Sequence, residues 1–175
     1  MLRTLALFAL TLTAPLAQAK RIPDLEFKDL AGHTEKLSSL QGSIAVISFW
    51  ATWCAPCREE LPRLSHLSRD YTPKGVHFLA ISADSSKDKP KIEPFLHQQN
   101  LALEVWLGAS IDTLDRLNLG NALPATIILD ENGEIIGRIE GEAQPADITS
   151  RLDWLLNHRQ GASPEPLTKH LQKGM

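Results

Sequence analysis

The apolar run Ile44-Ala45-Val46-Ile47-Ser48-Phe49-Trp50 leads almost directly into Cys54-Ala55-Pro56-Cys57, and this junction limits what the chain can fold into more than any other feature. A run so rich in β-forming side chains reads as a strand covered on both faces, hence a central strand of a sheet with helices on each side. Beyond the cysteines, Leu61, Leu64, Leu67 and Tyr71 recur at helical spacing. The sequence therefore predicts a helix from about Ala55 to Tyr71, with Arg58, Glu59, Arg63 and Arg69 available for its wet side. Glu59 and Glu60 both read as solvated charges of that helix. Pro62 removes an amide donor inside it, which predicts a kink. Val76 to Ala83 reads as a second buried strand after the turn Thr72-Pro73-Lys74-Gly75, and strand, helix, strand makes a parallel βαβ unit.

The remaining segments arrange themselves around that unit. Ile22 to Phe27 and Gly32 to Leu37 read as a short opening hairpin. Asp84 to Asn100 is polar apart from Ile92, Phe95 and Leu96, which suit a short helix inserted after the second core strand. Leu103 to Leu107 reads as a strand, and Ile111, Leu114 and Leu117 fit another short helix. Ala125 to Leu129 and Glu134 to Ile139 are predicted to pair antiparallel across Asp130-Glu131-Asn132-Gly133, where Asn-Gly is suited to the positive φ angles of a tight hairpin turn. A last helix is expected from Pro145 to about His158, burying Ile148, Leu152, Leu155 and Leu156. From Gly161 onward packing residues run out, so residues 161–175 are expected to form a mobile tail.

The chemistry concentrates where the buried strand ends and the helix begins. Unpaired amides and the positive end of the helix dipole favour a thiolate on Cys54, below the ~8.5 of a free thiol, making it the nucleophile. Cys57, one turn further in, is expected to be more covered and to act as the resolving thiol of a mixed disulfide. A zinc site would need further Cys or His ligands at matching spacing, and the chain has no other Cys. A purely structural disulfide closes too small a loop to restrain the unfolded chain much. His33, His66, His77, His97, His158 and His170 are spread singly and read as surface or packing residues rather than a ligand set.

These residues resemble the active site of the thioredoxin superfamily over most of residues 22–158. Within it the chain is most similar to the exported TlpA-like and ResA-like reductases of the redoxin family. The likeness rests on Phe49-Trp50-Ala51-Thr52-Trp53-Cys54 running into Arg58-Glu59-Glu60-Leu61-Pro62, on the insert after Ala83, and on Leu123-Pro124-Ala125-Thr126-Ile127-Ile128-Leu129-Asp130 with Asn132-Gly133. The resemblance implies an α/β, thioredoxin-like fold: a central mixed sheet flanked by helices, an N-terminal β-hairpin and an inserted helical segment after the second core strand. It also implies a cis Leu123-Pro124 bond facing the thiols, an exposed Trp53 beside the nucleophile, and an acidic residue near them, for which Asp84 is the candidate base. The sequence departs from cytoplasmic thioredoxins at Ser48, where those proteins carry a buried carboxylate; a hydroxyl there cannot accept a proton at neutral pH.

The N-terminal segment MLRTLALFALTLTAPLAQA places Arg3 before an apolar run and ends on Ala17-Gln18-Ala19, the pattern of a secretory signal cleaved before Lys20. The apolar run falls short of the ~20 residues that span a bilayer, although an uncleaved anchor is the alternative. Three segments are thus expected: a signal at 1–19, a thioredoxin-like domain at 20–160 and the tail at 161–175. A formal net charge of −3, with scattered Lys and Arg, provides no footprint for nucleic acid. Together these features predict a periplasmic or otherwise exported thiol-disulfide oxidoreductase with no cofactor and no stable metal, and the resemblance to the TlpA-like group implies that it reduces disulfides in other exported proteins. As partners the resemblance implies exported proteins bearing disulfides or dithiols, as in cytochrome c maturation or copper-site assembly, and a membrane electron donor. The alternatives are a disulfide donor, a Cu(I) carrier using the two thiolates, and a peroxide-reducing relative.

Overall fold

The structure, a computed structural model, describes residues 21–170, so the expected signal segment lies outside the described residues. An antiparallel hairpin, β1 (Glu26–Asp29) and β2 (Thr34–Lys36), precedes the long apolar strand β3 (Ile44–Trp50). Helix α1 (Ala55–Tyr71) then crosses back to β4 (Val76–Ser82), which pairs parallel with β3 as the βαβ reading requires. The insert carries α2 (Ile92–Gln98), followed by β5 (Glu104–Leu107) and α3 (Ile111–Leu117). Strands β6 (Ala125–Leu129) and β7 (Ile135–Glu140), helix α4 (Pro145–Leu156) and a final strand β8 (Leu167–Lys169) complete the chain. Among the described residues all eight strands form one sheet, in the order β2-β1-β5-β4-β3-β6-β7-β8.

Side-chain alternation divides β3 between two cores. Ala45, Ile47 and Phe49 join Leu37, Leu40, Leu114 and Leu117 on one face, while Val46 and Trp50 pack with Leu61, Leu64, Ile148 and Leu152 of α1 and α4 on the other. Successive strand residues point to opposite faces, so Ser48 belongs to the α1 side, where it is buried. The insert contributes Ile92 to that same core, and Phe95 packs against the Trp50 ring at 5.4 Å between centroids. Pro62 lies within α1, which is helical on both sides of it.

Two expectations need correcting. Residues 161–170 do not form a mobile tail: β8 adds a parallel strand to the edge of β7, and the buried Arg151 of α4 holds it by donating to Thr168 Oγ1 (2.9 Å) and to the Glu165 carbonyl. Backbone pairing and one buried guanidinium do what apolar side chains would otherwise do, which is why hydropathy overlooked the strand. The turn between β6 and β7 also departs from the expected Asn-Gly geometry. Gly133 alone in it has positive φ, and the buried Asp130 carboxylate accepts from the Asn132 and Glu134 amides, each at 2.9 Å.

Candidate active site

The ends of the parallel strands place the reactive turn. Residues 51–54 leave β3 at its C-terminal edge, where ligands and chemistry gather in α/β sheets, and the Ala83 amide donates to the Trp50 carbonyl (2.8 Å) to tie the two strand exits together. Cys54 is the N-cap of α1, and its Sγ accepts from the Cys57 amide at 3.3 Å, in the manner of a capping oxygen. Pro56 suits the first turn because it needs no donor there. The two cysteines are joined in a disulfide with Cα atoms 5.3 Å apart. Cys54 retains 6% exposure against none for Cys57, so an incoming sulfur meets Cys54 first.

Asp84 lies just past β4 and ties down the loop in front of Cys54. Its carboxylate accepts from the Thr52 amide (2.9 Å to Oδ2, 3.2 Å to Oδ1), from Thr52 Oγ1 (2.6 Å) and from Ser82 Oγ (2.8 Å), while its own amide donates to Ser82 Oγ (2.9 Å). The family resemblance makes Asp84 a candidate base near the thiols. The contacts of this buried group are with the backbone and hydroxyls that shape the loop.

Glu60 is the residue that sequence reasoning missed. Instead of facing water, it is 1% exposed, one helical turn beyond Cys57 on the same buried face of α1. Oε1 accepts from Ser48 Oγ (2.9 Å) and, at the limit of hydrogen bonding, from Thr126 Oγ1 (3.5 Å); Oε2 accepts from the Ala143 amide (2.6 Å). Burial pushes its carboxyl up to about 7, against the opposing pull of the Ala143 and Ser48 hydrogen bonds and of Arg63. Two signals in the sequence could have found it. Glu60 falls on the Cys57-Leu61-Leu64 stripe, and Ser48 and Thr126 occupy paired positions in β3 and β6, leaving two hydroxyls that need a polar partner from the helix. The carboxylate absent from the β3 position of Ser48 is thus supplied from α1.

The Leu123–Pro124 bond is cis, as the resemblance implies, and Pro124 immediately precedes β6. Because Phe49 pairs with Ala125, Pro124 lies at the same end of the sheet as Trp50 and the reactive turn. Its carbonyl accepts from the Gly141 amide (3.0 Å). Trp53 is 61% exposed and shares with Ala109, Ile111, Leu114 and Leu123 an open, mainly apolar pocket of about 340 Å³. The disulfide, the cis proline and this pocket therefore share one edge of the sheet.

Comparison with known proteins agrees with that geometry. The AhpC/TSA family profile matches residues 19–138. The thiol-disulfide oxidoreductase ResA of Geobacillus kaustophilus is 32% identical over 138 residues, covering 79% of this chain and 78% of its own. A secreted disulfide oxidoreductase of Mycobacterium tuberculosis, homologous to Escherichia coli DsbE, is 27% identical, with a TM-score of 0.55 over 64% of this chain and 80% of that one. The thioredoxin domain of a thiol-disulfide oxidoreductase from Bacteroides vulgatus has the same fold, with a TM-score of 0.66 at 23% identity, over 81% of this chain and 99% of that domain. With its redox pair at the mouth of a thioredoxin-like sheet, the chain belongs to the AhpC/TSA family and is a thioredoxin-like thiol-disulfide oxidoreductase.

Proposed function

We propose that the protein works outside the cytoplasm, reducing disulfides in other exported proteins. The observation that carries the exchange chemistry of this reading is the pairing of a slightly exposed Cys54 with a fully covered Cys57, one helical turn from a buried carboxyl. In the reduced state the Cys54 thiolate, stabilised by the Cys57 amide and the α1 dipole, attacks a client disulfide and releases one client sulfur as a thiolate. Cys57 then gives up its proton to Glu60 and attacks Cys54 Sγ, releasing the second client sulfur; the pair has lost two electrons and the client has gained them. A carboxyl near 7 is suited to that transfer, since it is partly ionised at neutral pH and can both take and return a proton.

The pocket beside Trp53 supports recognition of an extended client segment with an apolar side chain near its cysteine, laid against the Leu123–Pro124 turn. The resemblance to the exported reductases points to apocytochrome c and copper-site proteins as client classes, and a membrane electron donor would restore the dithiol. The secretory pattern of residues 1–19 and the secreted mycobacterial relative support export. Among the described residues no helix is long and apolar enough to cross a membrane.

Trapping and potentiometry test this reading together. Cys57→Ser is expected to accumulate mixed disulfides through Cys54, and Cys54→Ser to accumulate none. A reduction potential near or below the ~−270 mV of thioredoxin supports the reductase direction, whereas a value near ~−120 mV would make the protein a disulfide donor.

A further inference from the structure

The C-terminal strand ends beside the active site. The loop Gly141–Gln144 joins β7 to α4 and sends two amides inward: Gly141 N to the Pro124 carbonyl (3.0 Å) and Ala143 N to Glu60 Oε2 (2.6 Å). His170, just past β8, grips both ends of that loop. Its amide donates to the Glu140 carbonyl (2.8 Å) on the β7 side, and its ring Nε2 pairs with Asp147 Oδ2 (2.6 Å) in the first turn of α4. Asp147 Oδ2 also accepts from the Gln144 amide (2.8 Å), so the imidazole bonds to the same oxygen that caps α4. The His170 carbonyl closes over Gly141, where an added Cβ would come within 2.5 Å of it and where φ is +88°; both demand glycine. Lys169 Nζ adds an ion pair to Glu140 Oε2 (2.9 Å).

We propose that His170 is a positioning residue for the redox site: by clasping the Gly141–Gln144 loop from both ends, it fixes the Ala143 amide on the Glu60 carboxylate. The proposal rests on the proton-handling role given to Glu60 above. Within the loop, Arg63 of α1 pairs with the Glu142 carboxylate and the Gly141 amide is seated on the Pro124 carbonyl, and the strap adds a link between the loop's two ends.

The test compares His170→Phe with His170→Gln in the full-length oxidised protein, following the Glu60 carboxyl and the Ala143 amide by NMR. Gln presents a nitrogen near the position of Nε2 and should resemble the parent. Phe keeps the ring's bulk and the main-chain bond but loses the bond to Asp147. In that variant the Ala143 amide should exchange about tenfold faster, the mark of local opening. Glu60 should titrate higher by about half a unit or more, because the lost hydrogen bond favoured its charged form. A merely structural strap would lower thermal stability and leave both signals in place. If the larger ring is not accommodated, His170→Ala removes the same bond and is read in the same way. Unchanged Glu60 titration and Ala143 exchange, with the β8 amides still protected, would overturn the proposal. Failure of the underlying reading would look different: Glu60→Gln would leave the pH profile of thiol exchange unaltered, whatever the two NMR signals report about His170.

Discussion

Two buried carboxylates flank the reactive turn, and they are held in different ways. Asp84 binds a single loop: three of its hydrogen bonds come from Thr52, two of them through one bifurcated amide, and a fourth from Ser82 two residues back along the chain. Glu60 is shared among three elements, taking one donor each from β3, from β6 and from the loop before α4, and the β6 donor is stretched to 3.5 Å. The first arrangement is a staple for backbone geometry. The second suspends a carboxyl between a helix and the sheet, where loss of hydration outweighs the donors and lifts it to about 7. The surroundings of a carboxylate at this site thus suit it to anchoring a loop or to exchanging a proton, and the difference can be tested at each residue.

The largest expected effect is a pH-dependent one at Glu60. With its carboxyl raised to about 7, the native protein keeps a proton that the unfolded chain releases. The native state then binds more protons between pH ~4.5 and ~7, so this group's contribution to stability falls as pH rises through that window and levels off above it, a change of about 3 kcal/mol. Glu60→Gln should abolish the slope. Its amide oxygen can still accept from Ala143, while its NH2 faces hydroxyls at Ser48 and Thr126 that can turn to accept. Urea unfolding of the oxidised protein at pH 5 and pH 8 measures both; equal slopes in parent and variant would remove Glu60 from the role of proton acceptor.

Asp84→Ala comes next. It leaves the Thr52 amide and two hydroxyls without their acceptor, a loss of about 2 kcal/mol at neutral pH by the usual cost of stranded buried donors. Because the loop leads directly to Cys54, alkylation of the reduced Cys54 thiol should also slow or lose its homogeneity in stopped-flow traces. A stability loss under about 0.5 kcal/mol, typical of an ordinary surface change, would mean that Asp84 does not staple the loop.

The contrast between the two carboxyls also explains what was legible beforehand. The βαβ core, the helix limits at Ala55 and Tyr71 and the place of Cys54 and Cys57 follow from apolar patterning or from a motif in its strand-to-helix context, whereas the cis Leu123–Pro124 bond follows only from the family resemblance. Glu60 was misread because a helix rich in Arg and Glu offers several candidates for its wet face, and one charged residue on the buried stripe is outvoted by its neighbours. Its signal was distributed over Ser48 and Thr126, residues distant in sequence that become adjacent only through β3–β6 register. The β8 strap was hidden for a related reason: a three-residue edge strand with burial limited to Thr168 carries no hydrophobic period, and its anchors, Arg151 and Asp147, lie on a helix whose own pattern is complete without it.

The smallest effects come from the two hydroxyls that face Glu60, and they sharpen the comparison because their geometry differs by only 0.6 Å. Ser48 Oγ donates at 2.9 Å and favours the charged carboxylate. Ser48→Ala should therefore raise the Glu60 titration further and cost about 1 kcal/mol at pH 8, where the carboxyl is ionised, with a smaller cost at pH 5, where it is protonated. Thr126 Oγ1, at 3.5 Å, is at the outer limit of a hydrogen bond, and Thr126→Val keeps its shape in β6. Its effect should stay within a few tenths of a kcal/mol at both pH values. If the valine variant instead matches Ser48→Ala in size and pH dependence, the Thr126 hydroxyl closes on Glu60 when the carboxyl ionises. The suspended carboxyl would then draw its donors inward on losing its proton, tightening the α1–β6 contact beneath Cys57 at the moment of exchange.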